Sequence, residues 1–138
     1  MELEIGPFDP AVHVRSRDHY EAVRREIRLL QLQPGEPPAR LEALAERLAA
    51  QFPRSDVDEI AERAYQAGET VFVARASIPD QLVAAAIQAC DELSMLLEEL
   101  DHWVNDKKAN LLEASEDVKR YRVAYLAQAR GQLQAALR

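Results

Sequence analysis

The sequence predicts a mainly α protein: about five helices, one of them long and central (residues 79–104), and one short strand (residues 70–77). Three observations lead there. All seven prolines and three of the four glycines lie at or before residue 79, so only Gly131 interrupts the last 59 residues. Proline breaks helix interiors and glycine loosens them, so short elements come first and long helices follow. Val83, Ala86, Cys90, Leu93, Leu97, Leu100 and Val104 recur at spacings of 3, 4, 3, 4, 3 and 4, the period of a buried helix face. Finally, Thr70–Ser77 is the one β-branched and aromatic run bounded by Gly68 and Pro79.

Taken in order, residues 1–15 read as an extended lead-in to a single domain covering 1–138. The first helix is expected over Asp18–Leu32, with Tyr20, Val23, Ile27 and Leu30 inward and Asp18 and Glu21 as a capping pair. Gln33–Pro38 stops it. A second helix over Ala39–Phe52 carries Leu41, Leu44 and Leu48, and a third begins near Ser55 or Asp56 and closes at Gly68. The strand needs a partner, because unpaired edges invite association; Leu3–Ile5, Val12–Val14 or a second subunit would serve. In the long fourth helix, Leu82, Ala89, Leu96 and Trp103 flank the apolar row at intervals of seven, a face broad enough for a bundle centre or a subunit interface. At 1.5 Å per residue it is roughly 39 Å long, so much of its face calls for cover from another chain and a homodimer through this helix or the strand is expected. A fifth helix starts after Ser115, with Val118, Tyr121, Tyr125, Ala129 and Leu133 inward.

Composition narrows the class. The 138 residues hold 17 Lys+Arg against 24 Asp+Glu, a formal charge of −7, which argues against nucleic acid or anionic membrane as the main partner. One cysteine, Cys90, excludes an internal disulfide, and its place on the apolar row makes it core. Neither a signal peptide nor a membrane span is read from the N-terminus or the apolar runs, so a cytoplasmic protein is expected. Nucleotide-cradling glycine motifs are absent and no cofactor is implied.

Two charged groups stand out. Arg15, Arg17, Arg24, Arg25 and Arg28, with His13, Asp18 and His19, form a polar and basic cluster suited to docking a partner protein or an anion; ion pairing with Asp18, Glu21 and Glu26 is its plainer explanation. Asp91, Glu92, Glu98, Glu99 and Asp101 form an acidic stripe within eleven residues that hold no Lys or Arg, either a docking surface or a solvated face. Glu99 and His102 have the Glu-x-x-His spacing of di-iron bundles, without the second motif and further glutamates such a site needs. His13, Asp18 and His19 are the one set from which acid–base catalysis would be built, and no serine, cysteine or second acid completes it.

Val12–His19, continued by Val23–Ile27, resembles the opening of small helical proteins of actinobacteria and relatives, encoded beside SpoIIE-type serine/threonine phosphatases, STAS antagonists and anti-sigma-factor kinases. Val73–Pro79, Leu96–Asp101, Leu111–Ala114 and Tyr121–Leu126 resemble later blocks of that family in the same order, whereas Val123–Ala124 and Ala127–Ala129 depart from its more basic, aromatic and acidic run. The resemblance implies a non-enzymatic regulator or adaptor in partner-switching signalling, with residues 12–19, polar and not needed for a core, as the preferred surface. The alternative is a small-molecule or nucleotide sensor with a pocket near His13, Arg15 and His19.

Overall fold

The computed structural model describes residues 1–30, 32–107 and 113–138. Gln31, within the expected first helix, and Leu111 and Leu112, in one block of the family resemblance, lie outside the described residues. The order of elements is β1 (Glu2–Phe8), α1 (Pro10–Leu29), α2 (Pro37–Gln51), α3 (Val57–Gln66), β2 (Phe72–Ser77), a 3-10 turn (Asp80–Leu82) leading into α4 (Val83–Lys107), and α5 (Glu116–Ala136).

The lead-in is structured throughout. Leu3 and Ile5 alternate inward along β1, which pairs antiparallel with β2, so the first of the expected strand partners is the one used. α1 starts eight residues before the expected Asp18, because Asp9 caps it by accepting from the Ala11 N–H (2.9 Å) and Pro10 sits in the first turn, where no N–H is missed. Asp18 is therefore mid-helix rather than a cap. The polar block 12–19, read as unnecessary to the core, puts His13 inside it at 6% exposure.

α4 is the spine. Its first turns, through Val83 and Ala86, join one core made by the inner face of the sheet, α3 and the end of α5. Its later turns, through Leu100 and Val104, join a second core with Val23 and Ile27 of α1 and Leu41 of α2. The broad face that called for another chain is thus covered from within, by α2 on one flank and α5 on the other. A helix that joins two cores needs a broad apolar face, which the row and its flanking residues provide.

The sheet's two edges are treated differently. On the β1 edge, Gln128 and Gln132 of α5 each grip one peptide unit: Gln128 accepts from Gly6 N–H and donates to Gly6 O (both 2.9 Å), and Gln132 does the same at Glu4 (2.7 and 2.6 Å). One turn of helix thereby replaces a third strand. Between Ile5 and Phe8 the ladder bulges, and Gly6 adopts φ +115 with its α-carbon so close to β2 that a Cβ would lie 2.5 Å from Phe72 O.

Gly6→Ala should lower the unfolding free energy by about 2–4 kcal/mol, combining backbone strain with a clash against main chain. Urea denaturation measures this. A loss below about 0.5 kcal/mol, the range of an ordinary surface change, would mean that the bulge relaxes freely.

Candidate functional site

α1 carries His13, Ser16, Arg17 and Tyr20 at i, i+3, i+4 and i+7, a spacing that places all four on one side of the helix. Facing them, α5 contributes Tyr121, Arg122, Tyr125 and Leu126, α3 contributes Asp58 from its first turn, and Leu93 and Leu97 of α4 supply an apolar wall. Together they line a cleft of about 320 Å³.

At one end lies a continuous polar chain. His13 Nδ1 is 2.5 Å from the Tyr121 hydroxyl and Nε2 is 2.6 Å from Asp58 Oδ1. An ionised carboxylate only accepts, so Nε2–H donates to Asp58, and in the neutral imidazole this leaves Nδ1 to accept from Tyr121 O–H. Asp58 is kept ionised first by that hydrogen bond, which outweighs its partial burial and holds its carboxyl below the usual range. Its place in the first turn of α3 adds the favourable end of the helix dipole. The imidazole sits edge-on to Phe72 at 5.3 Å and to Tyr121 at 5.6 Å, and Phe8 packs edge-on against Tyr121 at 5.1 Å.

These surroundings favour a fixed structural hydrogen-bond chain. Burial pushes the Tyr121 phenol far up and the Tyr125 phenol up to about 12, so both stay protonated at neutral pH. Both nitrogens of His13 are already engaged. The set His13, Asp18 and His19 is not joined by any contact: His13 meets Tyr121 and Asp58, Asp18 accepts from Arg17 (3.1 Å), and His19 Nδ1 accepts from Arg122 (2.7 Å). Among the described residues no three His, Cys, Asp or Glu side chains gather as a metal site, and Glu99 of the Glu-x-x-His pair is taken by Arg40.

The arginine cluster disperses. Arg15 pairs with Asp117 of α5, Arg17 with Glu62 of α3 (3.1 Å), and Arg24 makes a two-pronged contact with Glu42 of α2 (2.8 and 3.0 Å), which Arg28 joins at 3.4 Å. Arg25 is exposed on the outer face. These arginines face three neighbouring helices, so they do not form one basic patch. Their partners are also mostly remote in sequence rather than Glu21 and Glu26.

The acidic stripe divides likewise. Residues seven apart return to the same side of a helix. Glu92 and Glu99 therefore turn to α2, meeting Arg47 and Arg40 (both 2.6 Å). Asp91 meets Arg130 of α5 (2.7 Å), while Glu98 and Asp101 line the α4–α5 groove with Lys119, Arg122 and Arg130. Three of the five acids are thus ion-paired within the chain. Cys90 is half-buried, and burial pushes its thiol up.

Asp58, Arg122 and the edge-sealing Gln128 and Gln132 were not singled out from sequence; Asp58 as a first-turn acid and the i, i+4 glutamines were the available signals. Tyr121 and Tyr125 were read as core, and they are core as well as cleft wall. No family model, curated protein or solved structure matches the chain.

Tyr121→Phe should cost about 1–3 kcal/mol by leaving the buried Nδ1 without a donor, read as a lower urea midpoint; no change would mean that water or another donor replaces the hydroxyl. Because the folded Asp58 carboxyl lies below its unfolded value, the unfolded chain takes up its proton first on acidification. Its contribution is present in full above about pH 4 and is lost as pH falls through the folded value. Asp58→Asn should therefore flatten the fall in stability below about pH 4 relative to the parent. Parallel curves would place the acid sensitivity elsewhere.

Proposed function

We propose that this chain is a non-enzymatic regulatory protein of bacterial partner-switching signalling that works in the cytoplasm by binding another protein: a SpoIIE-type phosphatase, an anti-sigma-factor kinase or a STAS antagonist. The pathway rests on the resemblance of Val12–His19, Val73–Pro79, Leu96–Asp101 and Tyr121–Leu126. Among the described residues no helix is long and apolar enough to cross a membrane, which is compatible with it.

The observation that best supports a binding role is the outer edge of β2. Met1 and Ile78 exchange a pair of main-chain bonds (2.7 and 2.8 Å), and with a period of two the same side of β2 serves Ala76 and Ala74. Val73, Arg75 and Ser77 therefore turn their N–H and C=O groups away from β1, and among the described residues nothing bonds to them. Val71 and Val73 are 56% and 48% exposed beside that edge. Proteins ordinarily blunt such edges, as the glutamines do on the other side of this sheet. An extended segment of a partner would add a third strand here, with backbone bonds supplying affinity and the valines supplying side-chain contacts. This moves the expected surface from the ion-paired arginines of α1 to β2. The homodimer expected from sequence would use the same edge.

The test is affinity capture from native lysate with the parent and with Val73→Pro, which removes an outward N–H without touching the β1 ladder. Recovery of a phosphatase, kinase or STAS protein by the parent, reduced about tenfold by the variant, is the expected result, since several shared hydrogen bonds depend on that position. Recovery of none of the three would overturn the pathway, and equal recovery by Val73→Pro would overturn the edge. Light scattering of both proteins reports whether a second copy occupies it.

A further inference from the structure

A separate feature of the chain lies in the cleft between α1, α4 and α5. Arg122 is a partly buried cation with no carboxylate in ion-pair contact among the described residues. Its guanidinium donates to neutral acceptors: Nε to Ser16 Oγ (3.4 Å), and Nη2 to Ser16 O (3.5 Å) and His19 Nδ1 (2.7 Å). The Nη1 amino group donates to no described residue. Burial disfavours this charge, and Asp101 acts on it only at longer range. The other charges of the cleft are matched, Arg17 by Asp18 and Glu62, and Asp58 by the His13 hydrogen bond. A half-buried guanidinium served by neutral groups retains its affinity for an anion, and its planar fork suits two oxygens.

The remaining lining gives the ligand's other properties. Tyr20 and Tyr125 hold phenolic hydroxyls in the cleft that bond to no described residue and stay protonated, because burial raises both. They are donors ready for an oxygen. Leu93 and Leu97 of α4 and Leu126 of α5 supply apolar walls. A volume of about 320 Å³ is at the small end of ligand pockets, which run from about 300 to 1,000 Å³. One unmatched positive charge calls for one negative charge, and an apolar wall calls for a hydrocarbon body.

We propose that the cleft binds a small monocarboxylic acid with an aromatic or branched aliphatic body, its carboxylate on the free edge of Arg122 and its body against Leu93, Leu97 and Leu126. Such a ligand spans α1 and α5, the two helices joined by the Arg122 contacts to Ser16 and His19. The site does not involve the β2 edge, so its fate is independent of the partner-binding reading.

Calorimetric titration of the full chain with phenylacetate tests this, with phenylacetamide and inorganic phosphate as comparison probes. Phenylacetate should bind saturably, and the neutral amide about tenfold or more weaker, since a charge-assisted contact is lost. Inorganic phosphate, lacking a body, should be weaker than phenylacetate. Arg122→Gln should weaken phenylacetate by about tenfold or more. Because that change also touches Ser16 and His19, Leu126→Phe, which fills the cleft and leaves Arg122 in place, should weaken it as well. Arg15→Gln, outside the cleft, should leave binding unchanged. Absence of binding up to roughly 10 mM, well beyond the ~1 mM of a weak site, would overturn the proposal. So would equal affinity for acid and amide, phosphate binding as tightly as phenylacetate, or parent-like affinity in both cleft variants.

Discussion

A buried imidazole must satisfy two nitrogens at once, and most of this architecture follows from how His13 does so. With 6% of its surface exposed and aromatic rings around it, an unmet nitrogen there would cost the desolvation of a polar group. The partners come from two other helices, Tyr121 of α5 and Asp58 of α3, so the bonds are made only when α1, α3 and α5 stand in one relative position. The Arg17–Glu62 and Arg15–Asp117 pairs join the same helices at the surface, where exposed ion pairs contribute little, and act chiefly to select the geometry His13 requires. Side-chain networks of this kind specify a unique arrangement more than they add stability.

The cleft is a by-product of that arrangement. His13 lies at one end, and two turns further along α1 Tyr20 lines the open cleft with Arg122, which meets no carboxylate there. Arg122 is consequently served by a serine and a histidine, while the arginines on the outer faces of α1 find Glu42, Glu62 and Asp117. The contrast between matched surface charge and an unmatched interior one distinguishes this cation from Arg15, Arg17, Arg24, Arg28 and Arg130. The two edges of the sheet show a similar contrast. α5 lies close enough to β1 for two glutamine amides to take the place of a strand, whereas α3, which packs against β2, offers its edge no such groups.

Much of the secondary structure was legible in the residues. The 3-4 spacing from Val83 to Val104, the β-branched run before Pro79 and the glycine at the end of α3 each mark an element through a local rule, and each element is present. The start of α1 was equally local, since Asp9 and Pro10 are a cap and a first-turn proline, yet residues 1–15 read as an extended lead-in with Val12–Val14 as a candidate strand partner. The charged candidates were less legible. Contiguous arginines and contiguous acids look like patches in one dimension, but 100° per residue turns neighbours away from each other, and the opposite charges that meet them, the adjacent Asp18 apart, lie 14 to 102 residues away.

By itself, then, the sequence determined the elements: five helices, a strand seeking a partner, and a central helix with a broad apolar face. It did so because helix and strand periods, caps and breakers act within a few residues. The tertiary structure alone decided that the chain's own α2 and α5 pack against this face, and that His13 belongs to the core. It also decided that the acidic and basic groups meet one another, and that Arg122 and the outer edge of β2 are left with hydrogen-bonding capacity to spare. Those outcomes depend on which surfaces approach across long stretches of chain, and no local rule reports that distance.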